Sequence, residues 1–303
     1  MSGRIPAILN AGSGTAEEAR KALEQNGAFE VHDVEPEQIA PTIRSVIEGG
    51  AKRILISGGD GTIATAATQL LRTEAELALL PAGTLNHFAR DLGVSTEADE
   101  ALKLAVSGES RGVDVGVVNG HVFLNTSSVG AYVRFVRIRE RLERWFGYRI
   151  ASALAALRIL FQLRRFAVEL EVEGKPRIYR TPLVFIGVGE RELQLPTLGN
   201  RVSEGQRGLH VMIVNGRSRA RLLALALAAV ARGVDAVART PELDSFLVQR
   251  CTVTLRRPTL VAIDGELVAM RETLEYELRP DALHVVCPPP EAGDARAPEA
   301  LTA

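Results

Sequence analysis

The sequence predicts two structural classes in one chain: an α/β first half built on a parallel sheet, then a mostly antiparallel, sandwich-like β half with helical insertions. Three observations carry this expectation. Short apolar runs alternate with helical patterns of ten or so residues through the first hundred positions, the signature of a parallel sheet covered by helices. After Gly112 the runs come in pairs, and Asn119-Gly120 stands between two of them as a hairpin signal. At 303 residues the chain suits two medium cores better than one. The expected division is residues 1–115, residues 116–290 and a small polar, disordered tail over 291–303.

In the first half the predicted order is a strand over 4–9, a helix over 15–26, a strand over 29–34 and a helix over 36–48. A strand over 53–57, a helix over 63–72, a strand over 76–83 and a helix over 85–92 follow. In the second half, strand patterns occupy 166–174, 178–189, 209–216, 246–255, 259–270, 274–280 and 282–290, with helices over 134–163 and 218–237.

Composition narrows the function classes. An apolar fraction of 46% with 24% charged residues is that of a globular chain able to bury a core. A formal charge of −1 provides no global field to recruit nucleic acid or an anionic membrane, so any such attraction is local. Cys251 and Cys287 are too few for a disulfide framework or a thiolate zinc site, which fits a cytoplasmic protein. The first residues lack the features of a signal peptide, and the longest apolar run, Leu222 to Ala231, is about half of a membrane span.

The chemistry concentrates at strand ends. Ser57 leads into Gly58, Gly59, Asp60, Gly61 and Thr62 ahead of a helix, the context in which a glycine turn offers backbone N–H groups to a phosphate. Asp60 would repel that phosphate unless a divalent metal stands between them, so the pairing points to a metal-nucleotide; the alternative is a tight turn with an aspartate helix cap. Asn10, Gly12, Ser13 and Gly14 follow the first strand, and Gly83, Thr84 and Asn86 follow the fourth. Capping explains each alone, but three such turns at equivalent strand ends match the place where ligands bind open α/β sheets.

Taken in order and spacing, the stretches Asn10–Gly14, Ser57–Thr62 and Leu80–Gly93 resemble the diacylglycerol kinase catalytic-domain family, which includes bacterial lipid kinases and sphingosine kinases. The segments around Asp114–Gly130 and Asp264–Glu266 are similar to it as well, so the likeness spans roughly residues 4 to 288. The resemblance implies an ATP- and Mg2+-dependent lipid kinase with a lipid hydroxyl as acceptor. It further implies that Gly58, Gly59, Asp60, Gly61 and Thr62 hold the phosphates, with Asn10, Ser13, Gly14 and Thr84 completing the nucleotide pocket. By the same resemblance Asp60 and Asp114 belong to the carboxylate and metal network, and Glu266 is the base that accepts the substrate proton. On residues alone, Asp264-Gly265 reads as a hairpin turn, and a glutamate carried on such a turn suits the positioning role that phosphoryl transfer demands.

Two departures stand out. His87 occupies a position where many relatives have aspartate, and Arg207 one where the family has an aspartate that ligates a structural magnesium; a guanidinium cannot do so, and that site is expected to be absent. Between Arg134 and Arg165 nine arginines stand against Glu140 and Glu143, with Trp145, Phe146 and Tyr148 among them. That is the profile of a segment lying on an anionic membrane at the inner face, or else of a solvated basic helix whose aromatics face the core. No nucleic-acid motif accompanies the patch, so no nucleic-acid partner is expected. The rival functions are an NAD kinase-like phosphotransferase and a non-catalytic nucleotide- or lipid-binding relative.

Overall fold

The computed structural model describes residues 4–71, 73–161, 165–193, 198–202, 205–214 and 243–289. The chain divides into two units, the first formed by residues 1–114, 203–205 and 280–303 and the second by residues 115–202 and 206–279. The predicted helix over 218–237 and the tail over 291–303 lie outside the described residues.

In the first unit, short apolar runs become parallel strands, the central ones covered on both faces and β2 partly exposed at the edge. They are β1 (Ile5–Asn10), β2 (Phe29–Val34), β3 (Arg53–Gly58) and β4 (Glu76–Pro81), in the spatial order β2-β1-β3-β4. Ala7, Ile8 and Leu9 of β1 and Ile54, Leu55 and Ile56 of β3 are fully buried, as a doubly covered parallel sheet requires. The intervening helices are α1 (Ala16–Gln25), α2 (Ile39–Glu48), α3 (Asp60–Leu70), α4 (His87–Asp91) and α5 (Ala98–Ser107). Arg53 fastens α5 to the sheet: its guanidinium donates to Glu76 Oε2 at 2.7 Å, Ala105 O at 2.8 Å and Gly108 O at 3.0 Å. Strand β5 (Ser110–Val118) leads out of this unit, and the chain returns to it late, where Val285 pairs in parallel with Leu77.

The order β2-β1-β3 places a topological switch point between β1 and β3, since the chain leaves β1 to one side and comes back on the other. Ligands of open α/β sheets bind outside the carboxyl ends of strands at such a point. Asn10, Gly58 and Pro81 are the carboxyl-terminal residues of β1, β3 and β4.

The second unit is a sandwich of two antiparallel layers. It opens with β6 (His121–Phe123) and β7 (Thr126–Gly130), then α6 (Ala131–Phe161), β8 (Phe166–Val172), β9 (Lys175–Thr181) and β10 (Leu183–Val188). After β11 (Arg191–Leu193) and β12 (Leu198–Arg201) come β13 (Leu209–Val214), β14 (Leu243–Val248), β15 (Arg250–Leu255), β16 (Thr259–Ile263), β17 (Glu266–Met270) and β18 (Thr273–Val286). One layer runs β14-β13-β10-β7-β16-β17, and the other contains β9, β8, β15 and the first part of β18. Inward residues of both interlock in one core, Val129, Ile186, Val211 and Val261 from the first layer with Val168, Leu170, Val253 and Leu274 from the second.

Several elements differ from expectation: the predicted strand over 178–189 is divided between β9 and β10, and α5 is an addition to the predicted helices. Helix α3 starts at Asp60, so the end of the glycine motif forms its first turn rather than a loop ahead of it. The stretch 246–255 is two strands, broken between Val248 and Arg250, whereas 274–280 and 282–290 join as the single strand β18, with Asp281 at φ 47° absorbing the bend. Helix α6 is interrupted at Gly147, whose φ of 68° and ψ of 166° no helix accommodates.

Candidate functional site

The three glycine-bearing turns of the first unit are stitched together by their own polar side chains. Asn10 Nδ2 donates to Thr62 Oγ1 at 2.8 Å, joining the end of β1 to the first turn of α3. Ser13 and Thr15 donate to the same carbonyl, Ala82 O, at 2.6 and 3.0 Å, which ties the first turn to the one after β4. Asn86 folds that turn on itself by donating to Gly83 O and accepting from Gly83 N–H. Thus Ser13 does not cap α1; it links two loops 69 residues apart.

The glycines are spatial requirements. A Cβ on Gly83 would stand 2.6 Å from Gly59 Cα and 2.9 Å from Asn86 Oδ1, and one on Gly58 would stand 2.6 Å from Thr62 Cβ. Gly14 meets nothing within 4 Å and stays open. Thr84 is exposed, whereas Ser57 and Thr62 are buried.

Asp60 does more than begin α3. Its Oδ2 accepts the N–H of His87 at 3.1 Å and its Oδ1 that of Phe88 at 3.2 Å, so it caps the start of α4, the element after the third turn. Asp60 is not the N-cap of α3, whose cap residue is Gly59; the Asp60 carboxylate caps a helix 27 residues downstream instead. His87 participates through its backbone. Each Asp60 oxygen retains a second lone pair for a cation or water.

These residues fit a phosphorylated nucleotide with its magnesium. The first N–H groups of α3 have no partner within the helix and point where an anion is stabilised. Ser57 Oγ, near the end of β3, is buried with no hydrogen-bond partner. Among the described residues no three His, Cys, Asp or Glu side chains converge on one point. A magnesium held by one carboxylate, phosphate oxygens and water is compatible with that donor set.

In the second unit, Asp264 and Gly265 form the two-residue turn between β16 and β17, with φ of 45° and 91°. Both angles are positive, as the tight twist-matched hairpin turn requires. Asp264 has a further task. Its carboxylate accepts N–H donors from Leu124, Asn125 and Thr126 at 2.7, 2.9 and 2.8 Å, and its own N–H donates to Thr126 O at 2.8 Å. Burial raises the Asp264 carboxyl to about 6, against the pull of the three N–H groups and the Arg191 guanidinium. Glu266, the first residue of β17, is exposed and follows this anchored turn directly.

Asp264 was legible only as a turn former, because its three donors lie 138 to 140 residues earlier. Nearby, buried His210 accepts the Arg191 N–H on Nδ1 at 2.8 Å, so Nε2 carries the proton that meets Ser245 Oγ at 2.6 Å; burial lowers its pKa.

Asp114 is buried in the first unit, where its Oδ1 accepts the Asp281 N–H at 3.0 Å. This bond holds the bend of β18 beside Gly112. Arg207 is exposed ahead of β13. In α6 the aromatics at the Gly147 break face solvent rather than the core: Trp145 is 81% exposed and Phe146 51%. The side chain of Tyr148 lies outside the described residues. No described helix is long and apolar enough to cross a membrane.

Residues 7–118 match the family model for the diacylglycerol kinase catalytic domain. A probable lipid kinase YegS-like protein of Pseudomonas syringae pv. syringae is 28% identical over 264 residues, covering 81% of this chain and 79% of the relative. The diacylglycerol kinase of Bacillus subtilis is 34% identical over 155 residues, 49% of this chain and 47% of that protein. Among solved structures, one from Bacillus anthracis superposes with a TM-score of 0.74 at 20% identity, covering 94% of this chain and 97% of that one. A diacylglycerol kinase of the same organism gives 0.66 at 18% identity with the same coverage. These two likenesses establish the fold.

Proposed function

We propose that this chain, whose residues 7–118 match the diacylglycerol kinase catalytic-domain model, is an ATP- and Mg2+-dependent lipid kinase. Its acceptor is a diacylglycerol-like lipid hydroxyl. The observation that carries the reading is the set of three turns at the carboxyl ends of β1, β3 and β4, bonded into one cradle through Asn10, Ser13 and Thr15 around backbone N–H donors.

Bound Mg-ATP supplies the phosphoryl group and the cation that offsets its charge. The first turn of α3, from Gly59 through Thr62, holds phosphate oxygens by backbone N–H, and Gly58, Gly12, Gly14 and Gly83 keep side chains out of their way. Asp60 fixes α4 and offers its remaining lone pairs to the cation. On this reading Glu266 is the base that accepts the proton of the lipid hydroxyl. Asp264 positions Glu266 by locking the turn that carries it. Asp114 acts indirectly, through the bend of β18.

Access to lipid is assigned to the tip of α6. Trp145, Phe146, Ile150, Leu154 and Leu157 are exposed on a helix whose Arg134, Arg137, Arg141 and Arg158 line one shallow pocket with Ile138 and Leu142. Apolar side chains among arginines suit the interfacial zone of an anionic bilayer, here its cytoplasmic face.

Transfer of labelled γ-phosphate to diacylglycerol, monoacylglycerol, sphingosine and phosphatidylglycerol in mixed micelles tests the reading. A labelled lipid that is lost in Asp60→Ala supports it. Phosphorylation of NAD, or nucleotide binding without turnover on any lipid, replaces it.

A further inference from the structure

The sandwich of the second unit carries a second feature that the transfer reaction leaves unused. At the end of β7 and β16 remote from the Asp264 turn, a cavity of about 590 Å³ is lined by Val129, Phe166, Leu255, Arg180, Arg256 and Arg257, among others. Four of its lining residues are arginines, Arg165 being the fourth, and none is acidic. Among the described residues Arg180, Arg256 and Arg257 are exposed and form no ion pair. Three unpaired guanidinium groups around one opening repel one another unless an anion joins them.

The rest of the wall is apolar and built to be so. Gly130 has φ 101°, and a Cβ there would fall 2.5 Å from the Phe166 ring and 2.4 Å from Pro182 O, so the absent side chain is what lets the ring close over β7. Strand register brings Arg180 opposite Ala167, while Arg256, Arg257 and Pro258 make the turn from β15 to β16. The cavity lies about four residues along β7 from Thr126, roughly 13 Å at the rise of a strand, so it is separate from the turn that bears Glu266.

We propose that this cavity binds an anionic phospholipid, its phosphate held by Arg180, Arg256 and Arg257 and the start of its acyl region by Val129, Phe166 and Leu255. Guanidinium forks pair with phosphate oxygens in a bidentate manner, and a volume of this size suits a headgroup with a few methylenes. The occupant is a membrane lipid rather than free phosphate because half of the lining is hydrocarbon. The proposal rests on the lipid-kinase reading only for where the protein meets a bilayer, and its test needs no nucleotide and no turnover.

The test is calorimetric titration of the full chain with monomeric dihexanoylphosphatidylglycerol, dihexanoylphosphatidylcholine and inorganic phosphate. It compares wild type with Arg256→Glu/Arg257→Glu, Arg180→Glu and Trp145→Ser/Phe146→Ser. Expected are saturable binding of the anionic lipid, at least tenfold weaker binding in each arginine variant with an unchanged melting temperature, and no loss in the Trp145/Phe146 variant. Equal binding by the arginine variants, equal affinity for the choline lipid, equal affinity for inorganic phosphate, or no binding at all would overturn it. Failure of phosphoryl transfer alone, with this binding intact, would count against the kinase reading and leave this one standing.

Discussion

Asp60 and Asp264 do related things in unlike settings, and the contrast explains how each unit is built. Each carboxylate accepts backbone N–H groups from a distant segment, Asp60 two from the start of α4 and Asp264 three from Leu124, Asn125 and the first residue of β7. Both residues are partly accessible, but Asp60 keeps more coordination capacity, whereas the Asp264 carboxyl is held by three N–H groups and raised by burial to about 6. A carboxylate at an open strand end is available to a ligand. One held by three backbone N–H groups under a hairpin positions what comes next in the chain.

The sharpest way to break that contrast is to remove the carboxylate with three N–H donors. Asp264→Ala leaves three N–H donors orphaned in a buried place, and at about 1 to 3 kcal/mol for each unmet group the protein should lose at least 3 kcal/mol in urea unfolding, together with activity. Asp60→Ala should cost only about 1 kcal/mol, the worth of a helix cap, while abolishing transfer. If the two stability losses were equal, the distinction between the ligand-facing and the structural aspartate would fail.

Gly83 and Gly14 sharpen the account of the cradle. Gly83→Ala pushes a methyl into Gly59 Cα and should cost about 2 kcal/mol as overpacking, with nucleotide affinity reduced more than tenfold. Gly14→Ala, with nothing within 4 Å of the new Cβ, should stay within about 0.5 kcal/mol of wild type by thermal melting.

The smallest effect is in pH. Asp264 has a folded-state value raised to about 6, so its favourable contribution is present below the ordinary aspartate range near 4 and is lost as pH rises through 6. His210 is lowered, so its contribution is present above about 6.5 and is lost as pH falls below that. The two oppose each other between pH 7 and 5. Relative to wild type, His210→Gln should therefore gain stability as pH falls from 7 to 5; a parallel pH profile for the two proteins would contradict the assignment.

Much of the first unit was legible in sequence because glycine and apolar runs have few alternatives there. Gly58 and Gly83 tolerate no side chain, and the β3 run from Ile54 to Ile56 is buried on both faces, so pattern and structure coincide. The Asp264-Gly265 turn was equally legible as a turn, since both residues sit at positive φ. What sequence could not give is long-range pairing: Leu124 to Thr126 beneath Asp264, the Asp114 to Asp281 bond 167 residues apart, and the return of Val285 to Leu77. The break at Gly147 was missed because a lone glycine in a helical pattern is usually tolerated, and the exposure of Trp145 depends on that break.

Glu266 offers the most direct test, because it is exposed and among the described residues no hydrogen bond anchors its side chain. Labelled γ-phosphate transfer to diacylglycerol in mixed micelles should fall about a hundredfold or more in Glu266→Gln, the usual worth of a general base, with urea unfolding unchanged. Unaltered transfer in that variant would contradict the account, since the anchored turn would then carry no catalytic group.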